Sequence, residues 1–406
     1  MKFDFDKVVD RHGTKCLKYD FAKERGRSDD MLPLWVADMD FPTAPGIQKS
    51  LSDAVAHGIY GYSEGKDDYF QAAAGWYEKH FGWKVEKEWL IKTPGVVFAL
   101  AMAVKAYTKE GDAVLLQQPV YYPFSEVITD NHRRLINSPL QQIDGHYEIN
   151  FEEFEQKIVE ENVKLFLMCS PHNPVGRVWK EWELRKIGDI CLKHNVLVVS
   201  DEIHSDFTYG ENIHHVFASL DEKYAAITTT CTAPSKTFSI AALTQCYSTR
   251  GLEIVAGLQI SNIWISNPEL RARFQAEVTA AGYSQVNLMG LVACQTAYET
   301  GEEWLKELKI YLAENLDYVR TFLKEELPEI KLTEPEGTYL LWLDFKSLGM
   351  KEEQLKDLVE NKAKLWLDSG AMFGPDGEGF ERINIACPRE ILKQALTQLA
   401  ESVHDR

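Results

Sequence analysis

The feature that most constrains this chain is a repeated pattern in which a short apolar run gives way to a polar or glycine-bearing turn and then to a helical stretch. Trp89-Leu90-Ile91-Lys92-Thr93 runs into Pro94-Gly95-Val96-Val97 and an apolar helix to about Lys105. Ala113-Val114-Leu115-Leu116-Gln117 ends at Pro119-Val120-Tyr121-Tyr122-Pro123-Phe124. Lys164-Leu165-Phe166-Leu167-Met168-Cys169 ends at Ser170-Pro171-His172-Asn173-Pro174-Val175-Gly176, ahead of a helix from about Lys180 to His194. Val196-Leu197-Val198-Val199-Ser200 ends at Asp201-Glu202-Ile203-His204-Ser205-Asp206, and Ala226-Ile227-Thr228-Thr229-Thr230 leads to Thr232-Ala233-Pro234-Ser235-Lys236-Thr237-Phe238-Ser239. Continuous apolar runs alternating with helices predict an α/β fold with a largely parallel sheet covered on both faces. Ligands of such sheets lie at the carboxyl ends of the strands. The Gly95 turn, Tyr121, Asn173, Asp201 and Lys236 are all predicted to stand on that rim.

The flanks read differently. Residues 1–46 are irregular apart from the strand-like Leu32-Pro33-Leu34-Trp35-Val36, and helices over about 47–57 and 69–80 bracket the aromatic loop Tyr60-Gly61-Tyr62. From about Asn287 a long helical stretch reaches Glu326, followed by the strand Thr338 to Asp344, a helix over about 352–361, a glycine-rich segment, the strand Arg382-Ile383-Asn384-Ile385 and a final helix. The expected organisation is an N-terminal segment (1–46) packed on a smaller α+β domain (287–406), with a large domain over 47–286. A length of 406 residues at 45% hydrophobic content supports one large and one smaller core.

A formal net charge of −18 argues against nucleic acid or an anionic membrane surface as partner, and serves solubility. No apolar run is long enough to cross a bilayer, and Met1-Lys2-Phe3-Asp4-Phe5-Asp6 holds no secretory apolar core, so a cytoplasmic protein is expected. The seven cysteines are scattered without a Cys-x-x-Cys pair, which predicts neither a disulfide framework nor a zinc site. His214-His215 lacks third and fourth ligands nearby, so no metal is expected.

A cation where a buried strand leaves its sheet is costly unless it is paired or chemically used. For Lys236 one use is a Schiff base to an aldehyde cofactor, and the plain alternative is an amine reaching water. The Gly95 turn exposes backbone N–H groups at the positive end of a helix dipole, which seats an anion, although many such turns hold nothing. Asp201 could cap a helix, Asn173 could serve a turn before proline, and Arg382 could join a surface ion pair. Singly, those structural readings stand. In this order along one chain, the residues point together to a bound cofactor.

The order Tyr62, Gly95, Tyr121, Asn173-Pro174-x-Gly176, Asp201-Glu202, Ser235-Lys236 and Arg382 resembles the fold-type I pyridoxal-phosphate enzymes, the aspartate aminotransferase superfamily, over essentially the whole chain. Within it, Val36-Ala37-Asp38-Met39-Asp40-Phe41, Ser170-Pro171-His172-Asn173-Pro174 and Asp201-Glu202-Ile203-His204-Ser205-Asp206 look like the MalY/PatB group of carbon–sulfur β-lyases. Ordinary aminotransferases tend to carry tyrosine where His204 stands. The resemblance implies a mostly parallel seven-stranded sheet in a large domain, a smaller α+β domain, pyridoxal 5'-phosphate as cofactor, and a homodimer with shared active sites.

On that resemblance Lys236 would hold the cofactor and then act as base at the substrate Cα. Asp201 would pair with the pyridine nitrogen and keep it protonated. Tyr121 would stack on the ring, and Asn173 would donate to its phenolic oxygen. The amides of Gly95, Val96 and Val97, with Ser235, would bind the phosphate, helped by Tyr62 from the neighbouring subunit. Arg382 would grip the substrate α-carboxylate as a bidentate fork, beside Ala37 and Asn173. Tyr122 either touches substrate or packs the rim. His204 and Asp206 are expected to make structural hydrogen bonds.

The implied reaction is β-elimination from L-cystathionine or a related cysteine S-conjugate, giving a thiol, pyruvate and ammonia. The same residues would serve an aminotransferase, and a regulatory binding protein on this fold is a third reading. The lyase choice rests on the subgroup motifs.

One stretch departs from the pattern. Relatives follow the lysine with Thr-Phe-Asn-x-Ala-Gly-Leu-Gln, whereas here Ser239 replaces the asparagine and Ala256-Gly257-Leu258-Gln259 comes later. An insertion over about 242–255 is expected, of a size that loop entropy tolerates. Thr244 stands where many aminotransferases place a phosphate-binding arginine. Arg250, inside the insertion, either supplies that charge or is a solvated loop arginine.

Overall fold

The computed structural model of the protein describes residues 2–240 and 258–406. Its largest sheet has seven strands, β1 (Leu90–Thr93), β2 (Ala113–Leu116), β3 (Arg134–Asn137), β4 (Val163–Cys169), β5 (Leu197–Asp201), β6 (Thr228–Thr232) and β7 (Ser261–Trp264). They lie in the order β1-β7-β6-β5-β4-β2-β3. From β6 to β3 all neighbours run parallel, while β7 is antiparallel to both β1 and β6. This is the mostly parallel α/β sheet the alternating pattern predicts. The edge strand β3 escaped the pattern because Arg-Leu-Ile-Asn buries only one side chain and carries an exposed arginine, a common way of guarding a sheet edge.

Cys169 of β4 pairs with Asp201 of β5, and Asp201 pairs with Cys231 of β6. The three central strands therefore end level, and the loops after them emerge side by side. Parallel neighbours require crossover connections, and the helices Pro123–Thr129, between β2 and β3, and Glu181–Lys193, between β4 and β5, provide two of them. Strand β6 is fully buried despite its threonines. Thr228 Oγ1 donates to Tyr224 O at 2.7 Å, Thr229 shares a hydrogen bond with the Tyr107 hydroxyl at 2.7 Å, and Thr232 Oγ1 donates to Asn262 O at 2.9 Å. Three of the four threonine hydroxyls are satisfied in this way and Thr230 Oγ1 has no partner, so the β-branched run is buried at the cost of one unsatisfied hydroxyl.

The C-terminal part carries an antiparallel sheet of Lys331–Thr333, Leu340–Asp344, Phe380–Asn384 and Asp368–Ser369, in that order. Leu32–Pro33 pairs in parallel with Leu365–Trp366, and Trp35 stacks on Trp366 with ring centroids 4.7 Å apart. The single helical stretch expected from Asn287 to Glu326 is two helices, Leu288–Thr300 and Glu302–Glu326, parted at Gly301. A Cβ on Gly301 would lie 2.3 Å from Cε1 of Phe238 and 2.6 Å from the Ala297 oxygen. The break thus makes room for the ring that follows Lys236 by two residues. The expected insertion over 242–255, with Thr244 and Arg250, lies outside the described residues.

Candidate active site

The loops leaving the ends of β1, β4, β5 and β6 bound one cleft of about 890 Å³, measured out to solvent. Of the residues expected to bind cofactor or substrate, Ala37, Gly95, Val96, Val97, Tyr121, Asn173, Asp201, Ser235 and Lys236 line it. Three of that set do not. Arg382 lies behind Asn173, Tyr122 packs beside Tyr121 with centroids 5.0 Å apart, and Tyr62 is 95% exposed on the loop before the helix Asp67–Phe81.

Lys236 follows β6 by four residues, and its Nζ donates to the backbone oxygen of Ala37 at 2.7 Å. Burial is the first cause that lowers its amine to about 8, opposed by Asp38 and Asp201 and reinforced by Arg382. The turn is anchored from below. Thr237 Oγ1 donates to Asp206 Oδ2 at 2.6 Å, and the Trp76 indole N–H donates to Asp206 Oδ1 at 3.1 Å. Asp206 therefore makes structural hydrogen bonds, as expected.

Asp201 ends β5 at 6% exposure, and its Oδ1 accepts the Ile203 N–H at 3.1 Å. Burial, the largest cause, pushes its carboxyl up to about 7. Glu202 belongs to a separate buried network, accepting from Ser200 Oγ at 2.7 Å and the Phe217 N–H at 3.1 Å, with His214 Nε2 at 2.8 Å. His214 is thus a partner of Glu202.

Asn173 ties two walls together. Its backbone oxygen accepts the Tyr121 N–H at 3.0 Å, and its Oδ1 accepts Arg382 Nη1 at 3.0 Å. Arg382 is 1% exposed, donates through Nη2 to Trp35 O at 2.9 Å and to Asp368, and has no partner at Nε. A buried arginine needs such a carboxylate to offset its desolvation. His204 is in the cleft wall, but its Nδ1 has no hydrogen-bond partner, so the structural hydrogen bond expected of it is missing at that atom. Burial first, then the charges of Lys236 and Arg382, hold the imidazole well below its usual range, hence neutral.

Some participants were not read from the sequence. Asp38 lines the cleft and is held by Arg11 at 2.7 Å, Asp368 pairs with Arg382, and the Tyr339 hydroxyl shares the Ala37 oxygen at 3.1 Å. Asp38 lies within Val36-Ala37-Asp38-Met39-Asp40-Phe41, where an acid between apolar neighbours is the available signal. Asp368 is a lone acid in Leu365-Trp366-Leu367-Asp368 and had none.

These groups suit pyridoxal phosphate. Asp201 is a buried carboxyl with a single N–H donor, so a cation beside it would restore its ordinary ionisation. Gly95 precedes the helix Val96–Tyr107, whose first amides lack intrahelical acceptors and can receive a phosphate. Lys236 supplies a desolvated amine in the same cleft. Asn173 has its amide nitrogen left over after its oxygen is engaged.

Residues 29–399 match the family described as aminotransferase class I and II. Cystathionine β-lyase PatB of Bacillus subtilis is 41% identical over 98% of both chains. Protein MalY of Escherichia coli is 33% identical over 99% of both. Among solved structures, cystalysin from Treponema denticola, which contains a pyridoxal 5'-phosphate cofactor, superposes with a TM-score of 0.93 at 37% identity over all of both chains. Matched from end to end by these relatives, the chain belongs to the class I and II aminotransferase family and, within it, to the MalY/PatB group.

Proposed function

We propose that the chain is a pyridoxal-phosphate-dependent carbon–sulfur β-lyase that takes L-cystathionine or a related cysteine S-conjugate to a thiol, pyruvate and ammonia. The observation that carries this reading is the meeting of Lys236, Asp201 and Asn173 around one cleft, in a chain 41% identical to a cystathionine β-lyase. The cofactor, when bound, supplies the electron sink that makes the Cα proton acidic and lets a thiolate leave Cβ.

The chain's own residues do the rest. Lys236 would hold the cofactor and, as a neutral amine, would take the Cα proton; burial favours that neutral form. Asp201 would keep a proton on the pyridine nitrogen through charge pairing. Tyr121 would pack against the ring, and Asn173 would offer it the free amide. The amides of Gly95, Val96 and Val97 and the hydroxyl of Ser235 receive the phosphate. Arg382, behind Asn173, would orient the substrate carboxylate with its remaining donor capacity, and Ala37 would bound the substrate side, while Tyr122 packs the rim beside Tyr121.

A homodimer completes the same reading. Ile59, Tyr60 and Tyr62 are 69%, 60% and 95% exposed on one loop, an apolar display that suits a subunit contact. Tyr62 of one subunit then reaches the phosphate of the other. The cysteines of the described residues are all free thiols, which suits a cytoplasmic enzyme. Among those residues no helix is long and apolar enough to cross a membrane.

The test is incubation of the purified holoenzyme with L-cystathionine and other cysteine S-conjugates while pyruvate is followed. Pyruvate release without an added keto acid is expected. Amino transfer to a keto acid with no pyruvate would assign the chain to the aminotransferases.

A further inference from the structure

Asp206, which holds Thr237 beside Lys236, also lines a second concavity of about 960 Å³ on its other side. The walls come from the segment 205–214 and from the first turns of the helix Glu302–Glu326. Lys306 and Lys309 both border it, three residues apart and so on one helical face. Neither forms an ion pair within 4 Å among the described residues, and each acts on a carboxylate of the concavity only at longer range, Lys306 on Glu302 and Lys309 on Asp206. The two carboxylates of the concavity are already engaged, Glu302 with Lys79 Nζ at 2.5 Å and Asp206 with Thr237 and Trp76.

On an open surface, water accounts for a lysine without an ion pair, as it does for the exposed Lys306. Here Lys309 is half-buried, and burial holds its amine below the ordinary range, a sign that its charge is under-compensated. Ser205 and Thr208 add hydroxyls with no partner inside the described protein, and Phe81, Ile213 and Leu305 add apolar surface. Cations, neutral donors and a short apolar wall in one concavity form a receptor for an oxyanion on a small body.

We infer that the concavity between the segment 205–214 and the helix Glu302–Glu326 is a second ligand site, distinct from the lyase cleft, for a small molecule bearing a carboxylate or phosphate group. Lys306 and Lys309 take the oxyanion, with Ser205 and Thr208 donating beside them.

The experiment is a calorimetric titration of the holoenzyme with inorganic phosphate and, in a separate arm, with succinate. It compares the wild type with a Lys306→Gln/Lys309→Gln double variant whose thermal unfolding is checked in parallel. Saturable binding of at least one probe is expected, weakened about tenfold or more in the variant. Pyruvate formation without added anion should stay within about twofold, because neither lysine borders the lyase cleft. Binding of phosphate alone would name a phosphate-bearing ligand, succinate alone a carboxylate, and both an oxyanion of either kind. Anion binding at Arg382 would appear as competition with substrate in both proteins, so the second site is the part of the binding lost in the variant. Identical isotherms for the two proteins, or no saturable binding of either probe by the wild type, would overturn the inference and leave the lyase reading untouched.

Discussion

The amine of Lys236 donates to the backbone oxygen of Ala37 across 2.7 Å, tying the stretch Val36 to Phe41 to the turn after β6. A carbonyl orients the amine without supplying a full counter-charge, so burial dominates and brings the amine down to about 8. Only the unprotonated amine attacks an aldehyde. The rate of cofactor incorporation into the apo-protein is therefore expected to climb through about pH 8 and level off above it, rather than near the ordinary lysine value of about 10.4. Lys236→Ala should abolish the absorption of the lysine-bound cofactor on reconstitution. A rate still rising steeply at about pH 10 would show that the burial argument is wrong.

Arg382 and Asp368 supply a second expectation. Their side chains are 2% and 4% exposed, so the pair stands almost entirely outside water. Removing one charge from such a pair leaves the other unsolvated, at a cost of about 3 kcal/mol or more. Asp368→Asn keeps the shape, and Asn173 and the Trp35 oxygen still hold Arg382. The guanidinium should lose its fixed orientation. For pyruvate formation KM is expected to rise about tenfold or more while kcat falls less, since the change acts on substrate placement. An unchanged KM in a stable variant would remove Arg382 as the carboxylate grip.

The sheet was legible because its signal is local and repeated. β4, β5 and β6 are runs whose burial on both faces is visible in composition alone, and their polar ends mark the rim. Asn173, Asp201 and Lys236 followed from that geometry, since level strand ends bring their loops together. Asp368 stayed hidden because its meaning lies in a partner fourteen residues on, across the antiparallel register that sets it opposite Arg382. The break at Gly301 was missed for a similar reason. An isolated glycine does not end a helical pattern by itself, and what demands glycine at 301 is the close approach of the Phe238 ring, remote in sequence.

Ser239 marks where backbone conformation and sequence diverge. It sits at φ +54°, in the left-handed region, where the relatives' asparagine is at ease and other side chains are strained. Its Oγ donates to Phe41 O at 2.9 Å, which offsets part of that strain. Ser239→Val loses the hydrogen bond and puts a β-branched side chain at positive φ. It should lower stability by about 2 kcal/mol, with a matching fall in denaturant midpoint. Ser239→Asn should be neutral or stabilising. If valine proves harmless, the left-handed conformation is not what residue 239 must supply.

Glu381, one residue before Arg382, is 3% exposed, and burial together with Glu352, Asp368 and Glu360 raises its carboxyl well above the usual range against the opposing pull of Arg27. The folded chain thus keeps a proton that the unfolded chain releases near pH 4.3. Protons bound in the folded state exceed those in the unfolded state above that point, so stability falls as pH rises toward the folded value. Glu381→Gln copies the neutral acid and has nothing to ionise. Relative to wild type, the variant should gain about 1–3 kcal/mol at about pH 8 and much less at about pH 5. Denaturant unfolding at the two pH values reads the difference directly. A gain that is the same at both, or larger in acid, would mean that Glu381 is ionised in the fold and that Arg27 compensates its charge.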